Sequence, residues 1–146
     1  MKWLYNNKEI NDIADLPQEA FGFIYQTTHT PTGKKYIGKK SLMYNLKKKL
    51  GKKEKALWEG KGRPPMYKRV LKESDWKTYY GSHHLIKEYL KGGFEHELKR
   101  EIIAIATDKK HLTYLECKHQ FALGVLESSE YLNDNILGKF FDKDFV

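Results

Sequence analysis

The sequence predicts an α+β domain in which helices pack on a small, mostly antiparallel sheet. Three observations predict it. Two alternating stretches, Phe21 to Thr28 and Lys35 to Gly38, flank the turn cluster His29-Thr30-Pro31-Thr32-Gly33, and strands joined by so short a loop pair antiparallel. Helix-period stretches follow Ser82 and Asp108. Between them Leu98 to Ala106 reads as a buried strand, although periodicity alone also admits a helix there.

Each element follows from its residues. Trp3-Leu4-Tyr5-Asn6-Asn7-Lys8-Glu9-Ile10 reads as a short hairpin around an Asn-Asn turn. Asn11 is placed to cap a brief helix that ends before Pro17. In the next strand Phe21, Phe23 and Tyr25 share one side, and Gly22 and Ile24 face the other. Leu42 to Leu57 reads as helical with an interruption at Gly51, and Gly60-Lys61-Gly62-Arg63-Pro64-Pro65 must break any helix. Ser82 reads as an N-cap; Leu85, Ile86, Tyr89 and Leu90 form an apolar face, and Gly92-Gly93 ends that helix. Asp108 caps a longer helix, Lys109 to about Leu126, whose apolar arc includes Leu112, Leu115, Ala122, Leu123 and Leu126.

The chain has 146 residues, the size of one domain, with 1–20 as an N-terminal extension and 42–72 as a basic insertion after the first hairpin. Leu, Ile, Val and Phe number 35, enough for a modest core and more than a disordered chain carries. No apolar run approaches a membrane span and the N-terminus lacks a signal-like apolar segment, so a cytoplasmic protein is expected. The single cysteine, Cys117, excludes a disulfide framework and a multi-thiolate zinc site. The net charge is +8. Between Lys34 and Lys77 there are 16 Lys or Arg against 4 Asp or Glu, so the positive charge sits in one third of the chain. Such a block suits a polyanion, whose counterions are released at each phosphate contact; otherwise it is a solvated lysine-rich loop. Only Arg63, Arg69 and Arg100 are arginines.

Two groups of residues carry candidate chemistry. Glu116 falls within the apolar arc of the last helix, with Leu112, His119, Gln120 and Leu123 as its neighbours. A carboxylate there is either salt-bridged to a lysine or holds a cation such as Mg²⁺, which accepts one or two protein oxygens. Tyr25 and Tyr36 lie on neighbouring strands, with Lys39 and Lys40 directly after the second. They either stabilise the hairpin by packing or share proton-transfer work at a phosphate, where a cation must lower the phenol pKa from about 10.

Phe23-Ile24-Tyr25, ten residues, then Tyr36-Ile37-Gly38-Lys39 resembles the paired signature of the GIY-YIG nuclease family. Ser74-Asp75-Trp76 with Tyr79-Tyr80-Gly81-Ser82, Tyr114-Leu115-Glu116 and Tyr131-Leu132-Asn133 extend the resemblance toward the small phage-encoded, homing-endonuclease-like branch. The resemblance implies a three-stranded antiparallel sheet flanked by helices. It implies cleavage of DNA with one divalent ion, Mg²⁺ or Mn²⁺, leaving 3′-hydroxyl and 5′-phosphate ends. By the same resemblance Tyr25 is the general base or water-orienting phenol, Tyr36 supports it, Glu116 is the metal ligand, and Lys39 lies near the scissile phosphate. Asn133, or Asn135 in a shifted register, orients the phosphate or the ion's shell.

Two departures stand out. Phe23 occupies the place of the first triplet's usual Gly, with Gly22 one residue earlier. Leu46 stands about where the family places an Arg; Arg69 is the preferred replacement, ahead of Arg63, Lys39 or Lys40. Duplex DNA is then expected to meet Lys35, Lys39, Lys40, Arg63, Lys68 and Arg69. His83 and His84 begin a helix and are either surface residues or aids to proton transfer. The alternatives to a DNA endonuclease are a non-catalytic DNA-binding module on the same fold and an RNA-binding or RNA-processing domain. Oligomeric state and target sequence stay open.

Overall fold

Asn6 and Asn7 sit at φ 51° and 63°, the left-handed pair that a two-residue hairpin turn demands and asparagine tolerates. In the computed structural model, which describes residues 1–145, they join β1 (Trp3–Tyr5) to β2 (Lys8–Ile10). Asp12, not Asn11, caps the helical turn Ile13–Asp15: its carboxylate accepts from the Ile13 amide, and Asp15 reaches back to the Asp12 amide. Asn11 is occupied by Lys2, 2.5 Å away.

Strands β3 (Gly22–His29) and β4 (Lys34–Ser41) pair antiparallel along their whole length, with Tyr25 opposite Gly38. Phe21 lies before β3 and packs in the cluster around Ile24, not beside Phe23 and Tyr25.

The chain divides into two compact units, Met43–Ser74 and the remainder. In the smaller unit, Leu42 to Leu57 is not helical as expected. Met43–Lys49 is strand β5, Lys52–Ala56 is the short helix α1, and Tyr67–Glu73 is β6, which pairs antiparallel with β5 from Met43↔Glu73 to Lys49↔Tyr67.

In the larger unit α2 spans His84–Lys91, β7 Leu98–Ala106 and α3 Lys109–Ala122. Two short strands, β8 (Asn135–Ile136) and β9 (Phe140–Phe141), form a terminal hairpin. The cap of α2 is His83 rather than Ser82: its Nδ1 accepts from the Leu85 amide, while the Ser82 hydroxyl is bonded to Tyr36. Asp108 caps α3 through the His111 amide. The helix stops short of Leu126 because Gly124 turns left-handed at φ 60° and sends the Val125 amide back to Gln120 O. Ala122 and Leu123 are consequently exposed rather than part of the apolar arc.

The main sheet has the order β2-β1-β7-β3-β4. Its β7-β3-β4 portion is the antiparallel trio that the resemblance implies, and the N-terminal hairpin adds two strands through a parallel pairing of β1 with β7. Alternation along β3 splits the core. Ile24, with Ile37, Leu112, Val125, Leu126 and Ile136, forms the side covered by α3. Phe23 and Tyr25 meet Trp3 edge-to-face, with ring centroids 4.9 and 5.4 Å away, and Trp3 donates from Nε1 to Trp76 O at 2.6 Å. Phe23, fully buried, fills this aromatic side. Arg100, 3% exposed, donates to the carbonyls of Met1, Lys77 and Tyr79 and stacks on Trp3 and Tyr80.

Candidate active site

Strand β4 is the outer strand of the sheet, so its free backbone groups must be satisfied from beyond the ladder. The returning chain does this. Lys35 bonds Glu130 O and the Leu132 amide through its backbone. Asn133, 4% exposed, accepts from the Ile37 amide and donates to Ile37 O at 3.0 and 2.8 Å, and Gln120 donates to the same carbonyl. This brings α3, the start of α2 and the 133–138 segment against one strand. A polar cavity of about 570 Å³ lies between them, lined by Tyr36, Lys39, Ser82, Glu116, Asn133 and Asp134 among others.

Alternation along β4 sets which side each group enters. Tyr36 and Gly38 point to the Tyr25 side, and Lys39 points with Ile37 toward α3. There Lys39 Nζ lies 3.0 Å from Thr113 Oγ1 and 3.8 Å from Glu116 Oε1. The Glu116 side chain is 19% exposed, and burial raises its pKa against the opposing pull of Lys39. A carboxylate so desolvated, with one ammonium at ion-pair distance and lone pairs facing an open polar cavity, suits a hard divalent cation that keeps its own waters. The salt bridge and the cation site expected as alternatives for Glu116 are compatible in this geometry.

The tyrosines occupy two depths. Tyr36 lines the cavity and shares a hydrogen bond of 3.0 Å with Ser82. Tyr25 is 1% exposed, its ring 6.2 Å from Tyr36 and 5.9 Å from Tyr79. Burial pushes both phenols above their ordinary range, and the negative character of Glu116 adds to the shift. The Ser82 hydrogen bond pulls Tyr36 part of the way back. Gly38 explains the third letter of the second triplet. A Cβ there would stand 2.5 Å from the Tyr25 hydroxyl, so only glycine lets the phenol lie across β4.

The other expected residues fall as follows. Lys40 is held by Asp75 at 2.5 Å and lies over the Tyr79 ring. Lys35 is on β4, half-buried. Arg63, Lys68 and Arg69 belong to the smaller unit, where Arg69 pairs across the ladder with Lys47 and Lys68 bonds Glu54. Asn135 is exposed at the cavity, and its side-chain oxygen accepts from the Gly138 amide.

Asp134 was not foreseen. It meets His83 Nε2 at 3.1 Å, and His84 stacks on His83. Ligand atoms of these three residues lie within 4.8 Å of one another. Because His83 Nδ1 accepts from Leu85, its proton sits on Nε2 and points at Asp134, and a cation there would have to displace it. Among the described residues, Glu116 and this His83–His84–Asp134 group are the two places in the cavity whose side chains could hold a cation. Cys117 packs against the α3 side of the core. Among the described residues no helix is long and apolar enough to cross a membrane.

An acidic oxygen, an ammonium and the Tyr36 phenol lining an open cavity, with Tyr25 buried behind Tyr36, suit hydrolysis of a charged ester. The family model described as "Putative endonuclease segE, GIY-YIG domain" matches residues 3–136. The chain belongs to the GIY-YIG nuclease family and is an endonuclease of that type, a phosphodiester hydrolase. No curated protein and no solved structure gives a match.

Proposed function

We propose that the protein hydrolyses phosphodiester bonds of duplex DNA at the β4 cavity, in the manner of the homing-endonuclease-like branch, leaving 3′-hydroxyl and 5′-phosphate ends. The observation that carries this reading is the convergence of Tyr36, Lys39, Glu116 and Asn133 on one cavity from three separate parts of the chain. Glu116 would hold one divalent cation, Mg²⁺ or Mn²⁺, which when bound supplies Lewis-acid stabilisation of the phosphate.

The chain's own groups do the rest. Tyr36, with Ser82, orients the water that attacks phosphorus as the bond to the 3′ oxygen breaks. Tyr25 holds Tyr36 from below, as a positioning residue. Its raised pKa makes it a poor base at neutral pH, and a base role for either phenol depends on cations lowering that pKa. Lys39 supplies the positive charge that the usual arginine would bring, as a point charge rather than a bidentate fork. Asn133 keeps β4 in place through Ile37. Arg69, Arg63 and Lys68 are assigned to binding the duplex.

Plasmid nicking in a stated salt concentration, with and without Mg²⁺, tests this. Glu116→Ala and Tyr36→Phe should each lower the rate by about a hundredfold or more. Cleavage undiminished in both variants defeats the assignment. Tyr25→Phe should change the rate less than Tyr36→Phe.

A further inference from the structure

We propose that the Met43–Ser74 unit is a β-ribbon that lies in a groove of duplex DNA and reads base edges through Asn45 and Arg69. The proposal rests on the reading that the substrate is duplex DNA and says which part of the chain chooses the sequence.

Charge is the first observation. The unit holds 11 Lys or Arg and 3 Glu, a net +8 that equals the net charge of the whole chain. The larger unit is therefore neutral, and long-range attraction to a polyanion resides in this one.

Geometry is the second. Seven ladder pairs join β5 and β6. Both faces of the ribbon are largely exposed, including Tyr44, Leu46, Val70 and Leu71. An isolated two-stranded ribbon is marginal in water, so this one gains from a partner that covers it. Two strands about 5 Å apart fit a major groove about 12 Å wide, which admits a two-stranded ribbon.

The third observation is what one face carries. The register places Asn45, Lys47, Arg69 and Leu71 on the same side as Tyr67, and Lys47 stacks over the Tyr67 ring at 4.5 Å. Arg matches the paired acceptors of guanine, and Asn the acceptor and donor of adenine. The opposite side carries Lys48 and Lys72, point charges suited to phosphates, beside Lys68, which is bonded to Glu54.

The experiment uses full-length protein carrying Glu116→Gln, so that DNA stays intact. Duplexes retained from a randomised pool are sequenced, and affinities are measured from 50 to 200 mM salt. The expected result is one enriched motif. In this background Arg69→Ala should lower discrimination at one position by about tenfold to a hundredfold, and Asn45→Ala should do so at a neighbouring position. Lys48→Gln should weaken all duplexes equally and reduce the salt slope by about 0.9. These side chains are exposed, and matching thermal unfolding midpoints show that the fold is kept. Three results overturn the proposal: no duplex binding, a motif unchanged by both Arg69→Ala and Asn45→Ala, or substitutions that alter only binding to phosphatidylserine vesicles. Cleavage by the unsubstituted protein is scored separately. An Arg69-dependent motif without cleavage would sink the nuclease reading alone, and cleavage without such a motif would sink the ribbon alone.

Discussion

In the proposed reaction Glu116 places function and stability in opposition. Its carboxyl is pushed upward chiefly by burial, so the charged form that a cation needs is the form the fold tolerates least. The folded-state pKa lies above the unfolded one. Folding is therefore favoured by the proton at low pH and weakened as pH rises from the ordinary carboxylate value, about 4.3, through the raised one. Glu116→Gln should abolish nicking yet raise the thermal midpoint at neutral pH, and its advantage should shrink as pH falls below the raised value. Melting curves at several pH values, taken without divalent ions, check this. Added Mg²⁺ should stabilise the parent protein and leave Glu116→Gln unmoved.

At the scale of elements, the first turn, the main strands and the Asp108 cap were the readable part, whereas the caps expected at Asn11 and Ser82 lie at Asp12 and His83. The Asn-Asn hairpin, β3, β4, β7 and the Asp108 cap all stood in the sequence because the interactions that fix them are local or strictly alternating. The stretch from Met43 to Lys49 was misread because Leu42, Leu46 and Leu50 recur every fourth residue among lysines, a helix period in good helix formers. Pairing with Tyr67–Glu73 overrides that preference, and a ladder between distant segments leaves no local mark. The cap of α2 moved from Ser82 to His83 because Tyr36, 46 positions away, engages the serine. Of the site, Tyr36, Lys39, Glu116 and Asn133 were legible through the family signature. Asp134 was not, since its partner His83 lies far off in sequence. Gly38 belongs to this scale as well: Gly38→Ala should push the Tyr25 ring off β4, lower stability by about 1–3 kcal/mol and depress nicking. Chemical denaturation and a nicking assay measure the two effects.

In the whole molecule the three arginines divide their labour. Arg100 is spent on architecture, joining the carbonyls of Met1, Lys77 and Tyr79 around the Trp3 ring. Arg100→Met removes a buried guanidinium and its hydrogen bonds to the Met1, Lys77 and Tyr79 carbonyls and should cost on the order of 3 kcal/mol, read as a fall in the denaturation midpoint. The exposed Arg63 and Arg69 remain for a partner. One last consequence follows from how Asn133 and Gln120 hold Ile37. Side-chain amides have taken the middle of the sheet's outer rim, so another polypeptide cannot zip onto the strand there. The rim is barred to protein yet stays accessible to a sugar-phosphate backbone, which needs no ladder to bind.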